Sequence, residues 1–166
     1  MTQGLHPLAR IAGNAGPGAW RLAGNLWPPL LFAGVRVERI AADFRHVRIR
    51  LAKSPLTANM FGTQFGGSMF AMTDPFWVMM LTRNLGPGYT VWDRRAEIEF
   101  VKPGRTVLTA EFVLAEAEVE EIRAEAESGG KVLRWFDTEI RDRDGAVVAR
   151  VRKQVYVRRR KPSERQ

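Results

Sequence analysis

The sequence predicts an α+β fold in which a five-stranded antiparallel sheet curls around one long central helix. Three observations lead there. Five segments carry the two-residue period of half-buried strands, several of them separated by turn residues. One segment, residues 68–81, has the length and the Met and Leu content of a helix. That helix is apolar almost all round, so it needs cover on every side, and a sheet curled about it supplies that cover. The chain of 166 residues suits a single domain.

Residues 1–34 read as a leader rich in Gly and Ala, with Arg10, Trp20, Arg21 and Trp27. Residues 19–26 fit one short helix, ended by Trp27-Pro28-Pro29. Its apolar residues are expected to cap the core. A strand period begins at Val35. Val47, Ile49 and Leu51 alternate with His46, Arg48 and Arg50, and Lys53-Ser54-Pro55 stops the first strand. Residues 57–67 form a loop with Asn59, Gly62, Gly66 and Gly67. The apolar helix follows, and Gly86-Pro87-Gly88 ends its region. In residues 89–101, Ala96, Ile98 and Phe100 alternate with Arg95, Glu97 and Glu99. Lys102-Pro103-Gly104 is a turn. Leu108, Ala110, Phe112 and Leu114 mark the third strand. The acidic stretch 116–127 fits a helix, or strand ends with a long hairpin. Residues 131–143 are the fourth strand and Asp144-Gly145 a hairpin turn. The fifth strand carries Val147, Ala149, Val151, Val155 and Val157 on one face. Hairpins make such a sheet antiparallel. This arrangement is the hotdog architecture, expected over residues 35–158, with a basic tail at 159–166. No internal repeat is visible.

The composition narrows the chemistry. There is no cysteine, which excludes disulfides and thiolate metal sites. His6 and His46 are the only histidines and lie far apart, so no imidazole-based metal site and no cofactor is expected. The net charge of +8 and sequence pI near 10.7 favour an anionic partner: nucleic acid, an anionic membrane surface or a coenzyme A thioester. The charge clusters in residues 36–53 and 150–161, and Arg158-Arg159-Arg160-Lys161 reads as a solvated tail. No nucleic-acid motif accompanies it, and the aromatics lie in apolar runs. No signal peptide is visible, and the apolar segment 26–34 contains two prolines and is too short to span a bilayer. A cytoplasmic location is the expectation.

Asp74 is the only ionisable side chain between Lys53 and Arg83. A lone carboxylate in an apolar helix is costly unless something pairs with it or uses it. Burial would raise its pKa toward the range of a general base. Asp74 also precedes Pro75, and Asp followed by Pro is a common helix start, so a capping role stays open. The second feature is Gly66-Gly67-Ser68. Paired glycines let a substrate approach the backbone, and first-turn amides could polarise a thioester carbonyl. An ordinary flexible loop with Ser68 as N-cap is the alternative.

The run Asn59-Met60-Phe61-Gly62-Thr63-Gln64-Phe65-Gly66-Gly67, with Asp74 in the helix beyond, resembles the PaaI-type hotdog thioesterase motif. Residues 35–158 are similar to the DUF4442 (YiiD C-terminal-like) branch, as are Val91-Trp92-Asp93 and Phe100-Val101-Lys102-Pro103-Gly104. The resemblance implies an acyl-CoA thioester hydrolase. Asp74 then matches the catalytic carboxylate, Gly66 or Gly67 the carbonyl-polarising amide, and Asn59 the residue that places the nucleophile. Phe65 stands where the family usually has His. Gln64 could substitute for that His, or the protein could bind acyl groups without hydrolysing them. Gln64, Phe65, Ser68 and Trp77 are expected near substrate. Met72, Met79 and Met80 line an acyl tunnel or form plain core. Sites of this kind usually form between subunits, so a homodimer or homotetramer is expected, with residues 91–101 as the pairing edge.

Overall fold

Alternation of side chains fixes most of the sheet. The computed structural model describes residues 15–160, so His6, Arg10 and the tail beyond Arg160 lie outside the described residues. The strands are β1 (Val35–Ile40), β2 (His46–Leu51), β3 (Tyr89–Phe100), β4 (Leu108–Val113), β5 (Lys131–Arg141) and β6 (Val147–Arg159). They form one antiparallel sheet in the order β1-β2-β4-β5-β6-β3. Val47, Ile49 and Leu51 of β2 and Leu108, Ala110 and Phe112 of β4 are all buried on its inner face, as their period requires.

The sheet has six strands rather than five. The extra one is β1, whose pattern is interrupted by a bulge between Val37 and Arg39. Val35 and Val37 face the core before the bulge, and Ile40 pairs with inward-facing Val47 after it. An extra residue flips the parity, so the alternation looks too short to count as a strand. The turn at residues 102–104 does not join neighbours either. β3 pairs with β6 at one edge, while β4 lies between β2 and β5. The β5–β6 hairpin is as expected. Its turn places Gly145 at φ +83°, and the Asp142 carboxylate accepts the amides of Asp144 and Ala146.

The expected long helix is two short ones, α3 (Gly66–Ala71) and α4 (Phe76–Leu85). Pro75 has no amide to continue the ladder. The Thr73 and Asp74 amides tighten onto Phe70 O and Ala71 O, and the α-helical pattern resumes with Met79 N on Pro75 O. Helix α4 then lies on the inner face of the sheet. Phe76 packs on Phe112 with ring centroids 5.1 Å apart, and Trp77 stacks on Phe136 at 4.5 Å. The acidic stretch is a helix, α5 (Glu116–Glu127), burying Val119, Ile122 and Ala126 at helical spacing. Its Arg123 donates to Asn84 O and Leu85 O, closing the C-terminal end of α4.

The described part of the leader, residues 15–34, is docked on the sheet. Helices α1 (Pro17–Leu26) and α2 (Pro28–Phe32) pack beside β1, and Leu30 is buried. Asn25 completes the join: its Oδ1 accepts the Val37 amide at 2.8 Å and its Nδ2 donates to Val37 O at 3.1 Å. The side chain thus imitates a neighbouring strand at the bulge of an edge strand. Asn25→Ala removes both bonds and should lower stability by about 1–2 kcal/mol, read from the midpoint of urea unfolding at constant m.

Candidate active site

The break between α3 and α4 places a carboxylate beside a buried cation. Lys153 stands on the inner face of β6 between Val151 and Val155 and is only 1% exposed. Its Nζ donates to Asp74 O at 2.8 Å, to Asp74 Oδ1 at 2.8 Å and to Asp93 Oδ2 at 2.9 Å. Asp93 reaches the cluster from β3, where a bulge between Asp93 and Arg95 alters the parity. Val91 and Asp93 before the bulge, and Ala96 and Ile98 after it, then share the face that looks onto α4. The Asp74 side chain is 58% exposed and that of Asp93 is 28% exposed. Burial raises the pKa of Asp93 above the usual carboxylate range, opposed by its hydrogen bond and ion pair to Lys153.

Asp74 does not cap α4 with its side chain, which resolves the role the sequence left open. It lies in the break rather than inside a continuous helix. Lys153 and Asp93 are the members that sequence reasoning missed. The signal was available, because Lys153 is the one charged residue in the buried run of β6 that alternates from Ala149 to Val157.

The other expected residues separate into those near an open surface and those in the core. Gly66 and Gly67 open α3, in front of two phenyl rings. A Cβ on Gly67 would lie 2.4 Å from the Phe65 ring, and one on Gly66 would lie 3.0 Å from the Phe100 ring. A side chain at either position would therefore displace the neighbouring exposed ring. Phe65 is 54% exposed and lines a shallow depression with Phe32, Leu56, Gly67 and Ser68. Ser68 itself is buried, and no side-chain hydrogen bond caps α3. Asn59 closes its own loop: Oδ1 accepts the Phe61 and Thr63 amides and Nδ2 donates to Thr63 Oγ1. Gln64 is 1% exposed, with Nε2 donating to Ala52 O and Thr106 O. It pins the loop to the sheet and does not face an open site. Trp77 is core, its Nε1 donating to Thr138 Oγ1 at 3.0 Å.

Met72 and Met80 are buried core. Met79 instead lines an apolar cleft of about 180 Å³ with Trp20 and Trp27 of the leader, Val37 and Ile40 of β1, and Pro75. Pro75 makes this cleft contiguous in sequence with Asp74. The basic strand is largely neutralised: Arg48 pairs with Glu38 and Glu111, Arg50 with Glu38, and Arg45 with Asp43 and Glu116. Among the described residues, no helix is long and apolar enough to cross a membrane.

A curled antiparallel sheet holding a central helical segment defines the hotdog class. The chain belongs to the DUF4442 family, a domain of unknown function, which matches residues 19–157. Solved structures of the same fold include a Pseudomonas aeruginosa protein, PA5026, named a probable thioesterase. It is 18% identical, with a TM-score of 0.74 over 84% of this chain and 93% of that one. The Haemophilus influenzae thioesterase HI1161 is 14% identical, with a TM-score of 0.63 over 86% and 90%. The P. aeruginosa thioesterase PA1618, solved as a point mutant, is also 14% identical, at 0.63 over 85% and 93%. No curated protein matches the chain significantly in sequence.

The raised pKa of Asp93 has a signed consequence. Its folded value lies above that of the unfolded chain, so the stability it contributes is complete below the unfolded value, near 3.9, and is lost as pH rises through the folded one. The melting temperature of the native protein relative to Asp93→Asn should therefore fall as pH rises above the unfolded value. A parallel pair of curves would contradict this.

Proposed function

We propose that the protein hydrolyses acyl thioesters, with Asp74 as the carboxylate that activates water. The observation that carries this reading is the carboxylate at the helix break, tied through one oxygen to a buried lysine while its side chain stays open to solvent. In the reaction Asp74 takes a proton from water as the water oxygen bonds to the carbonyl carbon. The carbon–sulfur bond then breaks and the proton passes to the thiolate, leaving acid and thiol. First-turn amides at Gly66 and Gly67 would stabilise the oxyanion.

The amides open α3, a helix of six residues and roughly 9 Å, whereas Asp74 lies in the break beyond its C-terminal end. That separation supports a site assembled from two copies of the chain, the amides from one and the carboxylate from the other. The half-exposed Phe100 and the exposed Trp92 on the edge strand β3 support the same pairing. The cleft beside Pro75 suits an apolar acyl group, its size close to the roughly 150 Å³ of an apolar cavity that holds benzene. Acyl-CoA is the substrate class, and the cytoplasm is where such thioesters are met.

The test is hydrolysis across a panel of acyl-CoA chain lengths. Asp74→Asn should lose at least about 100-fold in kcat while keeping the native circular dichroism spectrum. Native turnover in that variant would remove Asp74 from the mechanism. Phe65 favours a second reading, acyl-thioester binding without hydrolysis, because its ring lies against Gly67 where a carbonyl would approach. That reading requires saturable acyl-CoA binding with turnover at the buffer rate.

A further inference from the structure

Lys153 is a buried cation for which thioester hydrolysis alone gives no role. Its neighbours along the inner face of β6 are Val151 and Val155, both buried, and an unpaired ammonium there would be costly. An ammonium has three protons, and the three acceptors at Asp74 O, Asp74 Oδ1 and Asp93 Oδ2 use all of them. The acceptors come from separate defects in regular structure: the helix break at Pro75 and the bulge of β3. Both defects meet at one side chain.

The exposure is asymmetric. The lysine is enclosed, whereas Asp74 has a largely open side chain whose Oδ2 receives no hydrogen bond from the described residues. An ion pair formed only to neutralise buried charge would enclose both partners. Here the cation grips one carboxylate oxygen and the adjoining carbonyl, which fixes the carboxyl plane and leaves the second oxygen toward solvent.

We infer that Lys153 is a positioning residue, which orients Asp74 for attack by water and makes Asp93 the second member of a coupled carboxylate pair on one ammonium. The inference rests on the hydrolase reading and assigns that site two further residues. Two carboxylates and one ammonium carry a net charge of −1, and each carboxylate lies within hydrogen-bond distance of the same ammonium, so removing one changes the field at the other. The strands beside Lys153 add no charge there. β5 sets Phe136 opposite it and β3 sets Ala96 on its other side. Arg134, in the same register of β5 opposite Val155, is held by Glu121 and Glu125 of α5.

The experiment measures kcat and KM against pH for full-length native protein, Asp93→Asn, Lys153→Met and Lys153→Arg, using the acyl-CoA that the native protein turns over fastest. Carbon-detected NMR titration of the aspartate carboxyls is recorded on the same samples. With Asp93 neutral the ammonium serves one carboxylate, so the acidic limb of the kcat profile should move down by about half a pH unit or more. Lys153→Met should lower kcat at least about tenfold, with KM nearly unchanged, and move that limb upward. Lys153→Arg should recover part of the loss. Folded Asp93→Asn and Lys153→Met proteins with the native limb and the native kcat would overturn the inference. If Lys153→Met does not fold, the limb in Asp93→Asn decides. If the native protein hydrolyses nothing, the hydrolase reading fails by itself. The NMR titration then decides the coupling, which is overturned if Asp93→Asn leaves every other aspartate carboxyl titrating as before.

Discussion

A proline in the middle of an apolar helical stretch leaves carbonyl groups that the helix cannot satisfy, and the rest of this fold is arranged around that defect. Pro75 contributes no amide to Ala71 O, which takes the Asp74 amide in a tightened turn instead, and at this break Asp74 O accepts from the Lys153 ammonium. A lysine on the inner face of a strand would otherwise be among the least tolerable residues in the core. The break supplies the oxygen atoms that make it tolerable, and the lysine supplies the donors that make the break tolerable. Each irregularity is the solution to the other. The consequence is a carboxylate held at a defined place on the surface of an otherwise apolar element.

Two bulges carry the same logic into the sheet. In β3 the extra residue brings Asp93 and Ile98 onto one face although their positions differ in parity. In β1 it lets Val37 and Ile40 both face inward and opens the place where Asn25 docks the leader. The leader is thereby part of the domain's packing, and with Pro75 and Met79 it walls the apolar cleft. These two bulges re-aim side chains toward the ion cluster and the cleft, while a further register shift lies at Ile140 and Arg141 beside the β5–β6 turn.

What can be read in the sequence follows from regularity. β2 and β4 alternate without interruption and β6 does so from Ala149 to Val157, after a register shift that buries Val148 as well, and each strand is where the pattern puts it. The helical nature of residues 68–81 is legible from length and composition, and Asp74 from its isolation. β1 escapes the count because its bulge breaks the period after two apolar residues. The pairing of β3 with β6 is hidden because the turn at residues 102–104 resembles a hairpin turn while joining strands that are not neighbours. Gln64 and Trp77 look close to substrate because of where they stand in the chain. The Gln64 Nε2 instead meets Ala52 O and Thr106 O and the Trp77 Nε1 meets Thr138 Oγ1 inside the fold, while Gln64 Oε1 is buried without a partner among the described residues. Lys153 is open to discovery, since a period-two reading of β6 passes through it. Its partners are not, because only the folded chain brings positions 74, 93 and 153 together.

The central claim is that the break in the helix sets the carboxylate for chemistry. Replacing Pro75 by Ala returns an amide to Ala71 O and lets α3 run into α4, so that Asp74 O takes the amide of Val78 in place of the Lys153 ammonium. The most direct measurement is acyl-CoA hydrolysis by the native protein and by Pro75→Ala, with unfolding midpoints recorded on both. The account predicts turnover by the native protein and its loss in a Pro75→Ala variant that remains folded. Equal turnover by the two folded proteins would contradict it.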